Sequence, residues 1–258
     1  MFNLSKYACL ALSAALLLNG CKGKDGDPGP AGSTGVPGSS GQNLTGTIYG
    51  FVNSIDENGA PVGKAGVTVS LEGATAQTAT TDANGRFEFL NMRNGTYNLT
   101  YTRAGYATFR RFAVSHVGGD QPTFLGLTTV TQVSNTTITN LTQTGPFNAS
   151  GVPLSFNVSN SNSANSTYRA SFFASSTAGV TSATGTLLTT YILSAAGPTN
   201  ITFSRTTLLN AGFATGTTVY LVAYGSPVSL SNYVDPATGR FVYPSLNPNP
   251  SNVISFML

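Results

Sequence analysis

The chain has 258 residues, 40% of them hydrophobic and 10% aromatic, with a formal charge of only +3 and charged residues at 8%. Disordered chains combine low hydrophobicity with high charge, and nucleic-acid binders carry a concentrated basic footprint; this sequence does neither. There is length for two ordinary domains plus an N-terminal appendage, and frequent β-branched and aromatic residues between closely spaced turn signals predict an all-β protein.

Residues 1–20 carry Lys6, an apolar run over residues 7–18, and then Leu18-Asn19-Gly20-Cys21. A basic start, a short apolar core and a small residue before the cut predict a secretion signal, and the run is too short to span a membrane as a helix. Cys21 behind Leu-Asn-Gly resembles the lipobox of bacterial lipoproteins. That resemblance implies cleavage after Gly20, diacylation of the Cys21 thiol and acylation of the new amino terminus. Cys9 would leave with the signal, so the mature chain would hold one cysteine and no internal disulfide, and lipidation gives that lone thiol a use. Two or three acyl chains, at roughly 0.8 kcal/mol per buried CH₂, anchor a protein firmly to a bilayer. Lys22 stands where inner-membrane retention would want Asp, so the expected location is a bacterial cell envelope at the outer membrane, on either face.

Residues 21–43 form the expected tether. Glycine returns at every third position from Gly23 to Gly41, with Pro28, Pro30 and Pro37 between. This is collagen spacing, because only hydrogen fits on a triple-helix axis. An extended stalk is the first expectation, and a trimer through the Gly-X-Y stretch the second.

The first domain is expected over residues 44–130. Gly46-Thr47-Ile48-Tyr49-Gly50-Phe51-Val52 alternates as a strand, a turn follows at Asp56-Glu57-Asn58-Gly59, and Val67, Val69 and Leu71 mark the next strand. Asp82-Ala83-Asn84-Gly85 predicts a hairpin with a two-residue primed turn, since Asn-Gly supplies positive φ. Phe87, Phe89, Tyr97, Leu99 and Tyr101 recur at every second residue, as one buried face of a sheet requires. Further strands are expected near Tyr106 to Phe109, Phe112 to Val114 and Phe124 to Leu127. Arg110-Arg111 is the one basic doublet and reads as edge-strand protection. Gly50-x-Val52, Gly59-x-Pro61-Val62, Ala65-Gly66-Val67, Thr81-Asp82-x-x-Gly85-x-Phe87-x-Phe89, Gly95-Thr96-Tyr97 and Gly105-Tyr106, in that order, resemble the carboxypeptidase regulatory-like domain. The resemblance implies a transthyretin-like Greek-key sandwich, an accessory domain that is not itself a peptidase.

The second domain, over residues 133–258, is almost uncharged, with only Arg169, Arg205, Arg240 and Asp235. Val152, Leu154, Phe156 and Val158 alternate, as do Ile201 and Phe203, and Val219, Leu221 and Ala223. Seven or eight strands predict a second sandwich, immunoglobulin- or fibronectin-like; Gly216 to Tyr224 is faintly similar to a late fibronectin type III strand, with Val219 at the tyrosine-corner position. Tyr220, Tyr224, Tyr233 and Tyr243 flank a loop over residues 225–240 and form a candidate binding edge, although core packing accounts for them as well.

Catalytic chemistry finds few carriers. The one histidine, His116, reads as a strand exit, and no Gly-x-Ser-x-Gly elbow accompanies it. A zinc site of the usual type lacks ligands, Asp82 to Gly85 lacks the downstream Glu of a calcium loop, and paired carboxylates are scarce. No cofactor, metal or nucleic-acid partner is expected. The function this implies is a noncatalytic, membrane-anchored surface lipoprotein acting in adhesion or as a structural interaction module. The alternative is a carbohydrate-binding lipoprotein that delivers glycans to a transporter or hydrolase, for which the absence of Trp is unfavourable and eleven Tyr are adequate.

Overall fold

A computed structural model describes residues 44–73, 76–161 and 167–258. The expected signal sequence, the expected cleavage and lipidation positions Gly20 and Cys21, and the expected Gly-X-Y tether lie outside the described residues.

The first sandwich is built from β1 (Thr45–Ile55), β2 (Pro61–Val62), β3 (Thr68–Gly73), β4 (Gln77–Thr80), β5 (Arg86–Arg93), β6 (Gly95–Thr102), β7 (Phe109–His116) and β8 (Thr123–Thr131). One sheet centres on β1, which pairs antiparallel with β5 and the short β2 and parallel with β8. The other runs β4-β3-β6-β7. The two inner faces close over Ile48, Val52, Phe87, Phe89, Val69, Leu71, Tyr97, Leu99 and Tyr101, all buried. This is the transthyretin-like Greek-key arrangement.

The stretch around Asp82 departs from its sequence reading. β4 and β5 belong to different sheets, so the turn between them crosses from one layer to the other and makes no hairpin. Gly85 alone in that turn has positive φ (+81°), so the turn is not of the primed type. The Asp82 N–H donates to Arg86 O, and Asp82 Oδ1 accepts from the N–H groups of Asn84 and Arg86 at 2.9 and 2.8 Å. Asp82 therefore acts through its side chain as an Asx turn. Gly85 is required twice over, because a Cβ there would also lie 2.2 Å from the Val52 carbonyl oxygen. By the same correction, Phe87 and Phe89 lie on one sheet and Tyr97, Leu99 and Tyr101 on the other. The period of two holds across β5 and β6, but the rings meet through the core from opposite layers, with Phe87 edge-on to Tyr101 at 5.8 Å.

The second sandwich comprises β9 (Thr136–Gln143), β10 (Gly151–Asn160), β11 (Tyr168–Ser175), β12 (Thr186–Leu193), β13 (Gly197–Ser204), the short helix α1 (Arg205–Asn210), β14 (Thr218–Gly225), the short pair β15 (Tyr233–Val234) and β16 (Phe241–Val242), and β17 (Ile254–Met257). Its sheets run β13-β10-β9 and β12-β11-β14-β17. First, second and fifth main strands thus oppose fourth, third, sixth and seventh, the order of the fibronectin type III sandwich. The alternating Val152, Leu154, Phe156 and Val158 are 0–2% exposed, and Val219, Leu221 and Ala223 are fully buried opposite them. β9 and α1 have no counterpart in the sequence reading.

The two sandwiches meet at a polar joint. Glu57, in the turn after β1, is 4% exposed. Its Oε1 accepts from the Ser134 and Thr136 hydroxyls and from the N–H groups of Asn135 and Thr136, and its Oε2 accepts from Asn160 Nδ2 at 3.1 Å. The Glu57 carbonyl also accepts from the Val228 N–H, and Thr131 and Ser231 bond through their hydroxyls at 2.6 Å. Burial pushes the Glu57 carboxyl pKa up, but the Ser134, Asn160, Thr136 and Asn135 donors outweigh it and hold the group below its ordinary value.

One buried polar group beside the joint has no such provision. Ser54 is fully buried, and its hydroxyl has no hydrogen-bond partner among the described residues. Removing an unsatisfied hydroxyl is neutral to stabilising, so Ser54→Ala should raise stability by up to about 1 kcal/mol, read as a shift in urea midpoint at constant slope.

Candidate functional site

Alternation along β1 sends Ile48, Gly50 and Val52 into the core and therefore Tyr49 and Phe51 outward. Strand pairing then fixes their neighbours. Tyr49 sits between Glu88 on β5 and Phe124 on β8, and Phe51 sits between Arg86 and Leu127. Directly opposed residues share a face, so these six side chains form two adjacent rows on the outside of the β5-β1-β8 sheet.

Phe124 and Leu127 are three residues apart and would face opposite ways in a regular strand. A bulge removes that constraint: between Tyr49 and Phe51 the β8 partner advances by three residues, and Gly126 takes φ +75°. Leu125 stays in the core while Phe124 and Leu127 turn out, 57% and 65% exposed.

The rings are ordered against each other. Tyr49 and Phe124 stack with centroids 5.0 Å apart and planes at 26°, and Phe51 meets Phe124 edge-on at 6.2 Å. The Arg86 guanidinium lies 5.5 Å from the Tyr49 centroid and is hydrogen-bonded to Glu88 Oε2. The hydrogen bond from Arg86 lowers the Glu88 pKa against the opposing effect of burial, so the pair stays ionised at neutral pH. An open groove of about 550 Å³ runs beside Tyr49, bordered by Arg86, Glu88, Asp120 and Pro122. The face offers flat apolar rings, a fixed cation, two carboxylates and no deep enclosure.

This face is absent from the sequence reading, although one signal for it is there. Both phases of Ile48-Tyr49-Gly50-Phe51-Val52 are apolar, so whichever set fills the core, the other must face outward.

The four tyrosines of the expected binding edge divide. Tyr224 is 6% exposed, packs edge-on against Phe173 at 5.6 Å, and its hydroxyl accepts from the Ser182 N–H. Tyr243 also packs on Phe173, at 5.3 Å, and burial pushes its hydroxyl pKa up. Tyr220 joins them at the rim of this small satellite core, which also holds Val180, Val222 and Leu246. Tyr233 lies elsewhere, against Phe109 and Phe112 of the first sandwich at 5.8 and 5.9 Å. Three of the four thus support one core cluster and the fourth supports the joint. Beside Tyr243, Phe241 is 54% exposed and lines a second groove with Arg240, whose guanidinium donates to the Ala183 and Thr184 carbonyls.

His116 is 2% exposed. Its Nδ1 lies 2.8 Å from the Thr123 hydroxyl and its Nε2 lies 3.1 Å from the Met92 carbonyl, which fixes the proton on Nε2 and spends both nitrogens on structure. Among the described residues no three His, Cys, Asp or Glu side chains converge as metal ligands.

Residues 47–128 match the sequence profile of the carboxypeptidase regulatory-like domain. No curated protein matches the chain. Among solved structures, a type II cohesin–X-dockerin complex from Acetivibrio cellulolyticus is similar at 30% identity over 33% of this chain and 56% of that one, with a TM-score of 0.28. The alignment therefore spans little more than half of that structure's own length. A protein from Bacteroides uniformis, provisionally described as carbohydrate-binding, matches at 14% identity over 83% of this chain and all of its own, with a TM-score of 0.33. A DUF3823 family protein from Parabacteroides merdae matches at 15% identity over 83% of this chain and 98% of its own, with a TM-score of 0.30. Likeness at these TM-scores carries no argument about function. Motif order, strand topology and profile match agree for the first sandwich: residues 47–128 are a carboxypeptidase regulatory-like domain.

Proposed function

We propose that this protein is a noncatalytic surface lipoprotein that uses its two joined sandwiches as an adhesion or structural interaction module. The observation that carries this reading is the outer face of the β5-β1-β8 sheet, where Tyr49, Phe51, Phe124 and Leu127 are presented outward instead of filling a core. Exposed apolar side chains gathered on one face and rimmed by polar groups, here Arg86, Glu88 and Asp120, support reading that face as an interaction site. The side chains best suited to proton transfer are committed elsewhere: His116 ties three strands together and Glu57 pins the joint.

In this reading Cys21 carries the acyl chains, cleavage follows Gly20, and residues 21–43 hold the sandwiches away from the outer membrane. Detergent-phase partitioning tests the anchor. Native protein should enter the detergent phase and Cys21→Ser should stay aqueous; equal partitioning of the two would sink the lipoprotein reading. A second reading, delivery of glycans to a transporter or hydrolase, is favoured by the Tyr49–Phe124 stack beside Arg86 and Glu88.

A further inference from the structure

We infer that the outer edge of β12 is a self-association surface, at which two copies of this chain pair antiparallel through the backbones of Thr190 and Ile192.

Strand pairing decides which backbone groups are available. In an antiparallel ladder a residue's N–H and C=O point to the same side, and directly opposed residues point either at each other or both away. The Arg169 carbonyl accepts from the N–H of Ser226, the residue after β14. Arg169 and Ser171 therefore turn toward β14, and Ala170 and Phe172 toward β12. Opposite Phe172 and Ala170, Thr189 and Tyr191 bond to β11; opposite Ser171 and Arg169, Thr190 and Ile192 turn away from it. β12 has no neighbouring strand on that side, and the N–H and C=O groups of Thr190 and Ile192 have no protein partner among the described residues.

An exposed edge is a template for another strand, and natural sheets blunt it with charge, proline, bulges or short strands. The other main edges here carry such devices. β7 has Arg110 and Arg111, β5 has Arg86 and Glu88, and β4 and β17 have only four residues each. β8 is bulged and its Leu125 carbonyl accepts from Arg111, while β13 opens with Gly197-Pro198. On β9 the Asn252 side chain bonds both the N–H and the C=O of Leu141. Beyond its own bulge at Leu188, β12 runs Thr189-Thr190-Tyr191-Ile192-Leu193 with neither charge nor proline.

That contrast names the occupant. With the other main edges blunted, two copies can meet edge to edge only β12 to β12, and a two-fold axis closes them as an isologous pair. Having no charge, the strand meets no repulsion from its own copy. An axis at Tyr191 sets Thr190 opposite the partner's Ile192 on both sides of the axis, and their outward groups bond reciprocally. An axis at Thr190 would instead bring Ile192 onto the bulge at Leu188. In the first register Ile192, 64% exposed in the single chain, gains a β-branched neighbour across the pair.

The test uses the full chain in density-matched detergent. So small an interface should be weak, with a Kd of about 10–100 μM. Sedimentation should show the average mass rising to nearly twice its starting value between about 1 and 500 μM. Over that range amide exchange, read by NMR, should slow by at least about threefold at Thr190 and Ile192. The Thr189 and Tyr191 amides, already bonded to β11, should be protected throughout. Ile192→Pro removes an outward donor that β11 does not use, and Ile192→Lys keeps the donor but adds a charge of the kind found on other edges. Both should hold a constant mass across the range while keeping the native near-UV spectrum; should Ile192→Pro lose that spectrum, Ile192→Lys decides. Met257→Lys, at a side chain 67% exposed on the opposite edge of the same sheet, is the comparison and should still pair. The inference is overturned if the native mass stays constant, if it climbs well past twofold as in open-ended stacking, if folded Ile192 variants associate as the native protein does, or if Met257→Lys abolishes pairing.

Discussion

Glu57→Ala should cost the joined sandwiches about 3 kcal/mol and loosen their mutual orientation. The carboxylate takes five hydrogen bonds from Ser134, Asn135, Thr136 and Asn160 in a site 4% exposed, so its removal strands donors that water reaches poorly. Glu57→Gln should cost about half as much: a neutral amide oxygen in the place of Oε1 accepts from the Ser134, Asn135 and Thr136 donors less strongly than a carboxylate oxygen does, and its NH₂ would face Asn160 Nδ2 donor to donor. The joint should not come apart in either variant, because Tyr233 still packs on Phe109 and Phe112 and the Val228 N–H still reaches the residue-57 carbonyl. Urea midpoints measure the cost and residual dipolar couplings measure the orientation. A Glu57→Ala protein as stable as the native one would mean the joint contributes nothing.

The same carboxylate makes the joint acid-sensitive, with a definite sign. Glu57 has a folded pKa below its unfolded value of about 4.3, so the folded state binds the proton less well. Its contribution is fully present above the unfolded pKa and is lost as pH falls through the folded one. Native stability should therefore drop below about pH 4 more steeply than that of Glu57→Gln. Glu88, also held low by Arg86, is common to both proteins and cancels in the difference.

How far the sequence could be read follows from the range of the interactions involved. Val152 to Val158 and Val219 to Ala223 are legible because inward alternation is local, and the regulatory-like domain is legible because its glycines and turns sit at fixed spacings. Which sheet a strand joins is not local. Asp82 to Gly85 looks the same in sequence whether the next strand pairs with the last or crosses to the opposite layer. The outward turn of both Phe124 and Leu127 depends on a bulge at Gly126, and no period-two reading can place it. Glu57 sits in a solvent-style turn, Asp-Glu-Asn-Gly, and becomes a buried anchor only when residues 134–160 fold against it. The tyrosines at 220, 224 and 243 are legible as a group, but the cluster they share with Phe173 joins positions some fifty residues apart.

Phe172→Ala should be the most damaging single change, costing the second sandwich about 3–5 kcal/mol. Phe172 is fully buried and meets Phe156, Tyr191 and Phe203 edge-on at 5.6, 5.7 and 5.4 Å, so truncation opens a cavity and removes three favourable ring pairs together. Phe172→Leu keeps much of the volume and should cost clearly less. The loss compares directly with the joint. The first sandwich has its own core, and no ring of that core touches Phe172 among the described contacts. If the joint contributes about 3 kcal/mol, a lesion of about 3–5 kcal/mol in one partner equals or exceeds it. The second sandwich should then unfold first, leaving the first folded, and urea titration followed by NMR should show the Phe87 and Tyr101 signals surviving beyond the loss of Phe156 and Phe203. A single shared transition, merely shifted to lower urea, would show instead that the joint is stronger than its hydrogen bonds suggest and that the two sandwiches fold as one unit.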